Sequence, residues 1–400
     1  MTEKELQPGK ELQSEFGQYE PPPDATTSPV RPRRYMVQLD GLRAIAVGLV
    51  MTYHWIRPAI PINLGDLGVD LFFVLSGFLI TGILLDARPD ANAGAEASAD
   101  ASAGVTPGAE RRSLWKSARS FYIRRFLRIF PIYYGTLALT YIAGFVLVRA
   151  TVGWHLAYLS NVLLARPGDW YYIAHLWSLS VEEQFYLVWP WVILLLPKRA
   201  LLPTIGTLIA IAPMWRIATH QLGLQVAGAL PVSNFDLLGL GALLAVLQWL
   251  AFQQSAGEKK SAHSGWLGAT ALVGLAAYAI IHFTILGQSE YVQSLGRTGE
   301  ALVLVWIVSR ASLGFGGMTG AALSWAPVVY VGRISYGIYL YHNFMGAIVL
   351  ALSTHFTFLV AVRHNLALST LTRLTMTLAL ASASWYLFEK PINSLKKRFA

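Results

Sequence analysis

Residues 39–55 read LDGLRAIAVGLVMTYHW, an apolar stretch that keeps one guanidinium, Arg43, and one imidazole, His54. On a helix, the step from 43 to 54 turns by about 1100° and rises by about 16 Å, so both side chains lie on one face. Asp40 falls one turn before Arg43 on that face. Inside a membrane, ionisable groups face polar cavities and mark function; a snorkelling helix-end arginine and an interfacial histidine are the structural alternative. A second group is FYIRRFLRIFPIYY, in which Arg125 and Arg128 share a face and Arg124 lies off it. Paired guanidiniums suit phosphate, and they also serve as a plain positive anchor at a membrane face. In HLWSLSVEEQFYLVWPW, Glu182 and Glu183 follow His175 by less than ten residues. Carboxylates there can cap a helix, orient an imidazole, or act as acid or base. Asp236, Arg333, His342 and Glu389 are further polar groups at span positions; Arg333 and Glu389 read as structural ion-pair or helix-end residues.

The elements that must carry these groups are membrane helices. The chain has 400 residues, 54% of them hydrophobic and 13% charged, against about 25% charged in soluble domains. The 13 tryptophans and 18 tyrosines fit a membrane interface. Long apolar runs predict an all-α, polytopic membrane bundle of ten spans, near 37–57, 66–86, 126–148, 179–197, 200–217, 230–253, 266–285, 298–311, 327–351 and 367–388, with 152–178 as a half-helix or surface helix. An even count puts both termini on one side. Assigning that side to the cytoplasm leaves 21 Lys and Arg there and 6 opposite, as the positive-inside rule requires. The net charge of +9 is explained by those loops rather than by nucleic-acid binding. Residues 1–34 read as a disordered cytoplasmic tail without a cleavable signal, 35–392 as the membrane domain, 87–118 as a flexible Ala/Gly/Ser-rich cytoplasmic loop, and 393–400 as a short basic tail. The absence of cysteine excludes disulfides, thiol nucleophiles and cysteine–zinc sites. There is no phosphate-loop motif for an ATP-driven pump, and the nine histidines show no ligand spacing with carboxylates, so no metal is expected.

Taken in order, these motifs resemble the acyltransferase family 3 membrane proteins, which O-acylate glycans and other hydroxylated acceptors. LDGLRAIAVGLVMTYH is similar to the family's arginine, ten residues, histidine element, at Arg43 and His54. GVDLFFVLSGFLITGIL resembles its second-span signature, FYIRRFLRIFPIYY its arginine-x-x-arginine element at Arg125 and Arg128, and HLWSLSVEEQFYLVWP its tryptophan–glutamate passage. ISYGIYLYH and FEKP agree more weakly, and the resemblance covers about 36–392.

The resemblance implies an acyl-coenzyme A donor, most often acetyl, that binds from the cytoplasm with its phosphates on Arg125 and Arg128. It implies His54 as general base on the acceptor hydroxyl or as acyl carrier, and Arg43 as the group that orients the donor or stabilises the thioester oxyanion. Glu182 would orient His54, with Glu183 as the alternative. It further implies a multi-pass protein of the bacterial plasma membrane, in contact with lipid, whose acceptor is a surface glycan or other saccharide. The alternative acceptor is an intracellular small molecule such as an antibiotic. With the last span closing a dozen residues before position 400, the chain resembles the stand-alone type without a fused esterase-like domain. A sugar or lipid transporter or flippase is the competing class, and no half-to-half correspondence in the sequence favours it. The topology makes a direct prediction: reporter fusions at residues 20 and 396 should both read cytoplasmic, and opposite readings would break the ten-span arrangement.

Overall fold

A computed structural model describes residues 35–56, 63–88, 107–164, 172–223, 228–254, 268–269, 272–276 and 290–396, and among these every regular element is helical. The helices that matter to the site are α1 (Val37–Ile56), α2 (Leu64–Asp86), α3 (Pro107–Ile142), α4 (Val146–Leu156), α5 (Leu176–Leu195), α6 (Lys198–Gln221), α7 (Phe235–Gln254), α8 (Glu290–Leu313), α9 (Ala326–Arg333), α10 (Ser335–Tyr341), α11 (Met345–Ser353) and α12 (Leu366–Ser384). Four stretches are long and apolar enough to cross a membrane: Leu64–Asp86, Lys198–Gln221, Pro231–Gln253 and Leu366–Ser394. A fifth is reached if Val292–Leu313 and Gly317–Leu323, bent by 85°, form one broken span. The chain is therefore a helical membrane protein, with four or five spans recognisable by length and composition. The remaining expected spans carry the ionisable groups of interest, which is what lowers their apolarity: Asp40, Arg43 and His54 in α1, the arginines in α3, the glutamates in α5.

Several boundaries differ from the sequence expectation. Helix α3 has 36 residues, about 54 Å against a hydrocarbon core of about 30 Å. It starts at Pro107, so residues 107–118, expected as loop, are helical instead. Pro is favoured at a helix start, and the Glu, Arg and Lys that follow are good helix formers whose polarity alone suggested a loop. Helix α8 runs for 24 residues rather than over 298–311, because Arg297, Glu300 and Arg310 interrupt hydropathy without interrupting the helix. The expected span 327–351 is three short helices, α9 to α11. The expected tail 1–34 and most of the span 266–285 lie outside the described residues.

Helix α2 lies at the centre. A Cβ at Gly77 would collide with the Leu238 carbonyl oxygen of α7, and one at Gly241 with that of Val74 in α2, so the two backbones touch directly. Against α1 the register is antiparallel: Gly65 meets the ring of Tyr53, and Gly68 meets Ala46 and Val50. Two buried ion pairs tie the other helices to this centre. Arg297 of α8 grips Asp70 at 2.6 Å and 3.0 Å and donates to Asn234 at 2.8 Å. Arg216 of α6 grips Asp236 at 2.8 Å and 3.1 Å, and Thr298 donates to the same carboxylate at 2.6 Å. Asp236 is thus a structural residue, fully buried and fully paired. Trp189 of α5 donates to Thr81 of α2 at 2.7 Å. Gly77→Leu should cost about 3 kcal/mol of stability by forcing α2 from α7, read as a fall in melting temperature in detergent. Gly82→Ala, where a Cβ meets open space, should leave that temperature unchanged.

Candidate active site

The antiparallel register sets the levels of the site. Gly65 of α2 lies beside Tyr53, next to His54. Ser76 stands eleven residues further along α2, about 16 Å toward the other end of α1, where Arg43 sits. Ser76 donates to Glu182 of α5 at 2.6 Å, and Tyr186 donates to Ser76 at 2.9 Å. Glu182 therefore belongs to the level of Arg43, not that of His54.

This arginine end gathers cations from three elements. Arg43 pairs with buried Asp40 at 2.6 Å, and Asp40 also accepts the Tyr35 hydroxyl, on which Arg333 closes at 3.2 Å. Arg125 lies over the ring of Tyr186, 5.2 Å from its centroid, and over that of Phe121 at 5.8 Å. Arg125 and Arg128 lie within electrostatic range of each other and of Arg43, with Glu182 and Glu183 close to Arg125. Beyond the last span, Lys396 joins them: burial and the guanidiniums of Arg128, Arg125 and Arg124 push its ammonium down to about 8. Among the described residues, Arg125, Arg128 and Lys396 make no ion pair or hydrogen bond. Like charges held close together with no carboxylate paired to them have the chemistry to receive an anion, and guanidiniums favour phosphate.

The other end is built of histidines. His54, His342 and His175 stand in a row, with ring centroids 5.0 Å apart at each step. The hydrogen bonds assign their protons. His342 Nδ1 lies 2.6 Å from the Tyr339 carbonyl, which can only accept, so Nδ1 carries the hydrogen and Nε2 the lone pair. That Nε2 lies 3.1 Å from His54 Nδ1, which also faces the Val50 carbonyl at 3.0 Å. Both partners accept, so His54 Nδ1 donates and the His54 lone pair is on Nε2. His175 Nε2 faces the Leu340 carbonyl at 3.1 Å, and Trp55 donates to the His342 carbonyl at 3.3 Å, which fixes the row between α1, α5 and α10.

Helix α5 joins the two ends. His175, Ser178, Glu182 and Tyr186 fall within about 60° of one line along it. Ser178 and Tyr339 share a hydrogen bond of 2.5 Å, so the stripe runs from the histidines through hydroxyls and a carboxylate to the arginines. An acid–base group and an anion site are thus connected by one polar track through an apolar bundle.

The model of an acyltransferase domain matches residues 36–388. The chain belongs to the acyltransferase family 3. Curated relatives of this acyltransferase domain include the Bacillus subtilis (strain 168) protein YrhL, 29% identical over 90% of this chain and 55% of the relative. The peptidoglycan O-acetyltransferase OatA of Listeria monocytogenes is 29% identical over 78% and 49%. The O-acetyltransferase OatA of Staphylococcus aureus is 26% identical over 77% and 50%. The chain spans about half the length of these relatives. No solved structure matches.

In this member of the family the sequence-derived candidates separate into two levels. Arg43, Arg125, Arg128 and Glu182 come together, and His54 lies apart from them on the same face of α1. One expected contact differs: Glu182 hydrogen-bonds Ser76, and the side chain that hydrogen-bonds His54 is His342. His175 and His342 carry no assigned role in the sequence alone. Their signal was present as two further imidazoles in apolar passages, but their meeting depends on α5 and α10 packing together. The proton assignment predicts that nitrogen NMR of the protein in lipid at neutral pH finds His54 protonated on Nδ1. The opposite tautomer would overturn the described hydrogen-bond row.

Proposed function

We propose that this protein is an integral membrane O-acetyltransferase of the bacterial plasma membrane, moving an acetyl group from cytoplasmic acyl-coenzyme A to a hydroxyl of a cell-surface glycan. The observation that carries the reading is the polar track with unpaired guanidiniums at one end and a tautomer-fixed imidazole at the other. Arg125 and Arg128, with Lys396 and Arg43 beside them, hold the donor's phosphates. The donor supplies an acyl thioester. His54 takes the acceptor's hydroxyl proton at Nε2 as the oxygen bonds the acyl carbon. The carbon–sulfur bond breaks, and the proton passes to the departing thiolate. His342 holds the ring through Nδ1 and receives part of the charge that His54 gains. Glu182, held by Ser76, balances the guanidiniums along the donor's path. The names of the Listeria and Staphylococcus relatives support a glycan of the cell wall as acceptor, and the separation of the ends by about 16 Å suits substrates that arrive from opposite faces.

His54→Ala should lower turnover with acetyl-coenzyme A by about 10² to 10⁴ while the protein is expressed and migrates normally; normal activity would sink the role of His54. Arg125→Ala with Arg128→Ala should raise the donor Michaelis constant about 100-fold, as for two lost charged hydrogen bonds. The acceptor constant should stay within about twofold. An unchanged donor constant would remove the phosphate assignment.

A further inference from the structure

Around α3, α5 and α10, the tyrosine hydroxyls are almost all engaged. Tyr133 donates to the His155 carbonyl at 3.0 Å, Tyr134 to that of Leu156 at 2.9 Å, Tyr339 to that of His175 at 3.0 Å, and Tyr341 to Ser384 at 3.0 Å. Two are not. The hydroxyls of Tyr158 and Tyr336 are buried and have no hydrogen-bond partner, an expensive state for a polar group in an apolar bundle.

The protein goes to some length to hold one of them. Tyr158 follows the end of α4 with φ of 53°, a left-handed conformation that glycine normally takes at this position and that is a true outlier for a bulky residue. Its carbonyl accepts from Gln184 of α5 at 2.8 Å, and its ring stacks on Tyr133 at 4.3 Å. Strain of this kind persists only where the surroundings over-determine it. Tyr336 stands one turn before Tyr339 on α10, and Tyr339 bonds Ser178, one turn before Glu182 on α5. The two hydroxyls lie within electrostatic range of each other and of Glu183, whose carboxylate makes no hydrogen bond among the described residues. Two donors and one acceptor, none hydrogen-bonded among the described residues, therefore lie within electrostatic range of one another, beside α5 and α10.

We infer that Tyr158, Tyr336 and Glu183 form a binding site for a secondary amide of the donor's pantetheine arm, the hydroxyls donating to its carbonyl and Glu183 accepting its N–H. This rests on the acyl-coenzyme A reading above. An amide is the group whose donor and acceptor match this set, and the arm is the part of the donor that must cross this level if the phosphates stay on the arginines. The site assigns Glu183 to the arm and leaves Glu182 with Ser76.

The test uses the full chain in lipid, with Tyr158→Phe, Tyr336→Phe and the double variant, and calorimetric titration of two probes. Acetyl-coenzyme A carries the arm; adenosine 3′,5′-bisphosphate carries the nucleotide phosphates without it. Each single variant should weaken acetyl-coenzyme A about fivefold and the double about 25-fold, the worth of neutral hydrogen bonds, with nucleotide affinity unchanged. The melting temperature of the ligand-free protein should hold or rise, since each change deletes an orphaned polar atom. Unchanged acetyl-coenzyme A affinity in the double variant, or an equal loss for both probes, would overturn the amide site while leaving the donor reading intact. A fall in ligand-free melting temperature would also overturn it, by showing that the hydroxyls are held by the protein itself. A wild-type protein that binds neither probe would overturn the donor reading, and the amide site with it.

Discussion

Backbone contact between α2 and α7, through Gly77 and Gly241, is the constraint on which the rest of the structure depends. In lipid the hydrophobic effect does not drive helices together, so close packing and internal hydrogen bonds must do it. The contact makes α2 the common wall of the molecule, and α2 then offers one polar group at each level. Asp70 accepts from Arg297, Ser76 donates to Glu182 and accepts from Tyr186, and Thr81 accepts from Trp189. Moving α2 by the width of one methyl group would break the geometry at all three.

The charges divide into two kinds. Those around Asp70 and Asp236 are paired, and each carboxylate is buried and multiply hydrogen-bonded, which is how an ion pair survives in a low dielectric. Arg125, Arg128 and Lys396 gather with glutamates nearby but form no ion pair among the described residues. A protein gains nothing in stability from such a gathering; mutual repulsion and burial both work against it. The same contrast holds for the tyrosines, most of them satisfied and two not. Buried polar groups in a bundle are ordinarily satisfied, so each unsatisfied one calls for a reason; at Tyr158 and Tyr336 the proposed reason is a substrate that completes the structure.

An imidazole that acts as a base needs its proton on the correct nitrogen. Enzymes often use a carboxylate for this, but a carboxylate beside His54 would require a further buried charge. A neutral row of imidazoles anchored on backbone carbonyls achieves the orientation without one. It also leaves the glutamates at the level of the guanidiniums, where opposite charge offsets the cost of burial.

The family and the main charged groups were legible in the sequence, because Arg43 and His54, and Arg125 and Arg128, sit on single helices where spacing alone decides which face they share. Apolar length likewise identified the spans in which charged residues are few. Polarity misled where it was local: residues 107–118 looked like loop and are helix, and α8 looked short, since hydropathy measures the environment of a segment and not its backbone hydrogen bonds. What the tertiary structure alone decided was which helices face each other and at what height. The pairing of Glu182 with Ser76, the row His54–His342–His175, and the orphaned hydroxyls of Tyr158 and Tyr336 all join residues far apart in the chain. Their meeting is set by the register of α1, α5 and α10 against α2, which is fixed by packing at glycines rather than by any local preference that a sequence displays.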